Sequence, residues 1–141
     1  MTDIADDIAL HRLLVSIELR REPLDKHDQM RRLTGTVLYR DGDSPEVEQI
    51  GRLTGWVSRD FDPELLAAAG DSVGPQAGVL TFFAEEVIKA EPGLPFTAAL
   101  LVDRVVLDQP WRGRGISPAI LERVLSVLQL DPQRTLTLFK P

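Results

Sequence analysis

Residues 13–20 alternate, with Leu13, Val15, Ile17 and Leu19 apolar and, Leu14 apart, polar residues between them. Period two over that length predicts a half-buried strand. Residues 22–32 are polar, contain Pro23 and show no apolar period, so they read as a loop or a short irregular helix. Residues 34–39 and 47–58, the second carrying Ile50, Leu53, Trp56 and Val57, flank the turn-rich Asp41-Gly42-Asp43-Ser44-Pro45. Two strands joined as a hairpin are expected there.

Asp62-Pro63-Glu64 then has the form of a helix start, an N-cap followed by a first-turn proline and acid. Gly70 and the Gly74-Pro75 pair are expected to interrupt that helix. From Gln76, Val79, Leu80, Phe83, Ala84, Val87 and Ile88 repeat on one stripe, which predicts an amphipathic helix ended by Glu91-Pro92-Gly93. The Phe82-Phe83 pair is expected in the core.

Residues 96–107 form an apolar run broken only by Thr97, Asp103 and Arg104, which suits a central strand covered on both faces. A loop with two glycines follows, and Ser117-Pro118 supplies an N-cap and first-turn proline. Ile120, Leu121, Val124, Leu125 and Leu128 make the buried stripe of a helix reaching about residue 130, where Asp131-Pro132 stops it. Residues 134–139 read as a final strand. Strand, glycine loop, helix and strand make a parallel crossover unit. The fold class is therefore α+β, a mixed and mostly antiparallel sheet with flanking helices, in one domain over residues 1–141.

Composition narrows the chemistry. The 141 residues contain no cysteine, so disulfides, thiolate metal sites and cysteine nucleophiles are absent. His11 and His27 are too few and too far apart for a metal site and are expected on a polar surface. Ser16, Ser44, Ser58, Ser72 and Ser126 have no histidine and acid placed to form a hydrolase triad. No apolar run is long enough to span a membrane, and an acidic N-terminus replaces the basic start of a secretory signal. A cytoplasmic protein is expected.

The net charge of −6 disfavours nonspecific nucleic-acid binding. It is unevenly spread. Residues 104–141 hold six basic and three acidic side chains, a net +3, which leaves −9 on the first 103. The acidic part hints at a cationic amine or basic partner, although solvated surface charge has the same appearance.

The basic segment contains the one loop with chemical promise. Amides left unpaired in a first helical turn, the helix dipole and glycines that admit close approach make a strand–glycine loop–helix junction an anion site. Arg112 and Arg114 add charge there. The loop lacks the Gly-Lys-Ser/Thr of a Walker sequence, and Pro118 excludes the dinucleotide pattern.

The stretch Val105-Val106-Leu107-Asp108-Gln109-Pro110-Trp111-Arg112-Gly113-Arg114-Gly115-Ile116-Ser117 resembles the acyl-CoA signature of the GNAT superfamily of N-acyltransferases. That family's loop has the form Arg/Gln-x-x-Gly-x-Gly/Ala, usually after an aromatic residue. Arg112 matches its first position, Gly115 its first glycine and Trp111 its aromatic. The resemblance covers residues 96–140, about a third of the chain. It implies a fold of that type and a pyrophosphate cradle of amides at Arg112, Gly113, Arg114, Gly115, Ile116 and Ser117. It also implies that main-chain groups of Val105 and Leu107 pair with the pantetheine arm of acetyl-CoA or another acyl-CoA, and that a primary amine is the acceptor.

Four departures accompany it. Ser117 replaces the final Gly/Ala, and Pro118 removes the next amide. The family places two helices between its first two strands, whereas this pattern puts its helices between the third and fourth. The family continues beyond its fifth strand with a helix and two strands, and the helix often carries a tyrosine that protonates the leaving thiolate. This sequence stops at Pro141, and its single tyrosine, Tyr39, lies on an early strand. Asp103 is the candidate base, with a plain salt bridge to a nearby arginine as its structural alternative. A second expectation of another class is a non-catalytic assembly module, pairing as a homodimer through the exposed C-terminal edge strand.

Overall fold

The structure is a computed structural model that describes residues 9–42, 45–93 and 95–140. Five strands, β1 (Leu13–Arg21), β2 (Arg31–Arg40), β3 (Val47–Arg59), β4 (Ala98–Leu107) and β5 (Thr135–Phe139), form one sheet in sequence order. The first four pair antiparallel, and β5 pairs parallel to β4. Two helices, α1 (Leu66–Val73) and α2 (Pro75–Ala90), join β3 to β4, and α3 (Ser117–Val127) joins β4 to β5. The α+β class, the hairpin and the parallel crossover all follow the sequence pattern. The acidic N-terminal stretch and Asp43 and Ser44 of the hairpin turn lie outside the described residues.

The two faces of the sheet are covered unequally. On one, Leu13, Leu33, Val37, Leu53, Leu100 and Val102 pack under Ile120 and Val124 of α3 and Leu128 at its C-cap. On the other, Trp56, Ala99, Leu101 and Leu136 pack under Leu66, Ala69, Ala77, Leu80 and Ala84 of the α1–α2 pair. That pair covers only one end of its face. The expected two-sided cover of β4 therefore holds for Ala98–Val102 and fails beyond it, where Asp103 to Leu107 are half-buried or exposed.

Several local expectations are corrected. The turn at Asp62 forms, with its carboxylate accepting the Glu64 amide (2.9 Å), but the regular helix begins at Leu66. Gly70 does not break α1. It lets α1 and α2 touch, since a Cβ there would meet Thr81 Oγ1 at 2.0 Å, and only the Gly74-Pro75 pair separates the helices. The buried stripe of α2 is Ala77, Leu80, Thr81 and Ala84, so the small residues face inward. Phe82 and Phe83, read as core, are 54% and 48% exposed and stack edge to face on the outside, with Val79 beside them. The small residues let α2 lie close over Ala99 and Leu101, while Trp56 and Phe61 supply the bulk of that cluster.

α3 stops at Val127, short of residue 130. Gln129 takes a left-handed φ of 57°, and the Leu130 and Gln129 amides donate to Leu125 (2.9 Å) and Ser126 (3.1 Å), a Schellman ending. Residues 22–30 are turns organised by Asp25, which is buried and accepts the amides of His27 (3.0 Å), Gln29 (2.8 Å) and Met30 (2.8 Å). His11 and His27 are exposed. No helix among the described residues is long and apolar enough to cross a membrane, and none of their acidic and histidine side chains cluster as a metal site.

Candidate functional site

The junction of β4 and α3 brings the sequence-predicted residues together. β4 carries a bulge: Thr54 pairs with Arg104 and Gly55 with Val102, which leaves Asp103 as the extra residue. The bulge exchanges the parity of the strand. Before it Leu100 and Val102 face α3, and after it Val105 and Leu107 do. β5 pairs with β4 only from Ala98 to Val102, and the Lys140 amide closes the ladder on the Val102 carbonyl (2.9 Å). Past the bulge, β4 has a neighbour on one side alone among the described residues.

The direction of the unpaired groups follows from antiparallel geometry. The Asp108 amide donates to the Ile50 carbonyl (2.8 Å), so Val106 and Arg104 are the residues that exchange hydrogen bonds with β3. Val105 and Leu107 turn their N–H and C=O groups away from β3, toward the side β5 leaves vacant. The Leu107 carbonyl is already engaged, because Arg112 Nε donates to it at 2.7 Å.

The loop from Asp108 to Ile116 is held at its start by two short bonds, Trp111 N to Asp108 O (2.8 Å) and Arg112 N to Gln109 O (3.2 Å). The Trp111 ring packs against Tyr39, with centroids 4.8 Å apart. Gly113 and Gly115 adopt φ of 70° and 68°, and a Cβ at either would project into open space. The glycines are there for backbone conformation and for an open approach to it. Among the described residues, the amides of Gly113, Arg114, Gly115, Ile116 and Ser117 donate to no other group of the chain. Arg114 Nη1 is buried without a partner.

Ser117 was expected to cap α3. It is instead the first residue of the helix, Ile116 occupies the cap position, and no side chain bonds the first-turn amides. The first turn holds no acid either. An uncapped, acid-free helix start beside two arginines presents a positive dipole end with its donors vacant. Arg104, Val105, Leu107, Arg112, Gly113 and Ser117 line a single open groove there, of about 340 Å³.

No family model, curated protein or solved structure matches the chain.

The remaining candidates are placed less centrally. Asp103 is half-buried at the bulge. Its ion-pair partner is Lys140, with Nζ 3.9 Å from Oδ1, rather than the arginine anticipated, and Oδ1 makes no hydrogen bond. Tyr39 is buried and its hydroxyl accepts the Ala9 amide (3.2 Å). Asp108 serves the loop through its main chain, its amide on Ile50 and its carbonyl accepting from Trp111. Sequence reasoning missed the bulge, although the switch of apolar parity from Leu100 and Val102 to Val105 and Leu107 was its signal.

Proposed function

We propose that the chain binds an acyl-CoA in the groove between β4 and α3 and passes the acyl group to a primary amine, acting in the cytoplasm. The reading rests on one observation: five consecutive vacant loop amides continue into the vacant main-chain side of β4. A pyrophosphate needs the first, and an amide-bearing arm running as an added strand needs the second.

Each group has a part. The amides of Gly113 to Ser117, with Arg112 and Arg114, hold the phosphates. Val105 offers an N–H and a C=O to the pantetheine amides. Leu107 offers its carbonyl once Arg112 moves from it to a phosphate. Held in this way, the thioester meets an amine as a pre-positioned neighbour, and orientation supplies most of the rate. The amine nitrogen bonds to the acyl carbon as the carbon–sulfur bond breaks. Asp103 takes the proton the nitrogen loses and returns it to the departing thiolate, so the step balances without a tyrosine.

Thermal shift tests the binding. Acetyl-CoA and desulfo-CoA are each expected to raise the melting temperature, and Arg112→Ala together with Gly115→Glu to abolish the rise. A melting temperature indifferent to both ligands overturns the reading.

The assembly-module reading has its own support. The outer edge of β5 has no partner among the described residues, and Val79, Phe82, Phe83 and Phe139 stand exposed. A second copy adding β5 to β5 would satisfy that edge. Sedimentation at two concentrations separates the cases, since a monomer at both excludes the pairing.

A further inference from the structure

The sheet face left uncovered by α1 and α2 carries side chains beyond those of the groove, and shares only Arg104 and Val106 with it. Register places Ser16, Glu18 and Arg20 of β1, Arg32 and Thr34 of β2, Arg52 and Thr54 of β3, and Arg104 and Val106 of β4 on it. All are exposed or half-buried. With Asp103 at the bulge, these residues set four arginines against two acids, a net +2 on a chain of net −6.

Only Arg20 is neutralised, by Glu18. Arg32 lies over the Trp56 ring, 5.6 Å from its centroid, and has no acidic partner among the described residues. Arg52 and Arg104 have neither a hydrogen bond nor an ion pair there. They sit diagonally on neighbouring strands, since Thr54 opposes Arg104 and Arg52 opposes Val106. Like charges at that spacing repel, and the one carboxylate in the recess they share, Asp103, has Lys140 as its ion-pair partner (3.9 Å). Thr34 and Thr54 stand directly opposite one another beside them, exposed and half-buried respectively. Thr34, Arg52, Thr54, Arg104 and Asp103 line one recess of about 360 Å³.

We propose that this open face holds an acidic peptide by its carboxylates, with the peptide's amino end directed to Asp103. The carboxylate recognition stands on the arginines. Identifying the amino end as the acyl acceptor rests on the acyl-transfer reading. Guanidinium groups recognise carboxylates through paired N–H donors, and the threonine hydroxyls add donors between them. Arg32, Arg52 and Arg104 are distributed over three adjacent strands, a span of about 10 Å. That suits several carboxylates on one chain better than a single small acid. A nucleic acid is disfavoured, because the face has no exposed aromatic ring on which a base would stack. The cationic acceptor suggested by the acidic first 103 residues would meet the wrong sign of charge here.

The test is fluorescence anisotropy on the full chain with a C-terminally labelled peptide, Ala-Asp-Glu-Asp-Glu, beside its amide counterpart Ala-Asn-Gln-Asn-Gln. The acidic peptide is expected to bind at least about tenfold more tightly, and less tightly as salt rises. Arg52→Glu and Arg104→Glu are each expected to weaken it about tenfold, while Arg123→Glu, an equal change of net charge on α3, which covers the opposite face of the sheet, leaves it unchanged. Melting curves confirm that the variants fold, and Arg52→Gln provides a milder second variant with an intermediate loss. Equal binding of the two peptides overturns the proposal, as does indifference to both arginine reversals or tighter binding of a thymidine oligomer. Acetyl-CoA is titrated into the same samples. Its failure to bind overturns the acyl-transfer reading and leaves the peptide result standing by itself.

Discussion

Arg112 Nε donates to the carbonyl of Leu107 at 2.7 Å, so the loop's own arginine occupies one of the main-chain acceptors that the vacant side of β4 offers. A side chain bonded five residues back holds the loop against the strand. An incoming phosphate competes for that guanidinium with a charge-assisted bond, which is roughly twice as strong as one to a neutral carbonyl. Ligand binding is therefore expected to move Arg112 off Leu107. The Arg112 Nε–H resonance should be resolved in the free protein and shift on adding acetyl-CoA. An unmoved resonance at saturation would show that the bond survives binding.

Gly113 and Gly115 are in left-handed conformations with open space ahead of them. Gly115→Ala should destabilise the fold by about 1 kcal/mol, from backbone strain alone. It should weaken acetyl-CoA binding by more than that strain explains, because the new methyl group occupies the approach to the amides. Calorimetry beside a melting curve separates the two effects. Equal losses in both would mean that the glycine serves conformation only.

Gly70 makes a contrasting case. A Cβ there would meet Thr81 Oγ1 at 2.0 Å and the Ala77 carbonyl at 2.7 Å, so α1 and α2 would have to move apart. Gly70→Ala is expected to cost about 2 kcal/mol or more despite alanine's better helix propensity. Gly93→Ala meets nothing and should be close to neutral. Chemical denaturation of the two variants measures the difference.

Asp25 accepts three amides from a turn whose last member, Met30, is buried. Asp25→Ala leaves the Met30 amide without an acceptor in the interior and should destabilise by about 2–4 kcal/mol. Asp25→Asn, which retains one acceptor oxygen, should lose less. A denaturation midpoint equal to that of the parent protein in both would remove Asp25 as the organiser of the segment.

The strands were legible because their period is short and their turns are marked. Residues 13–20 and the two arms of the hairpin are found where alternation placed them. The faces of helices were less legible. Sequence hydrophobicity favoured Val79 and Phe83 over Ala77 and Thr81, while the interior selected for fit against Ala99 and Leu101. The glycine loop could be read as an anion site from residue types alone, but its vacancy could not. That depended on Ser117 entering the helix rather than capping it. The basic face was hidden because Arg20, Arg32, Arg52 and Arg104 lie on four strands and meet only through register. The bulge at Asp103 had left its trace in the parity of the apolar residues around it.

Backbone amide titration with acetyl-CoA, followed residue by residue, tests the central claim most directly. The amides of Gly113, Arg114, Gly115, Ile116, Ser117 and Val105 are predicted to shift together and saturate with one affinity, as vacant donors acquire an acceptor. Shifts confined to other residues, or none at a saturating concentration, would contradict the account.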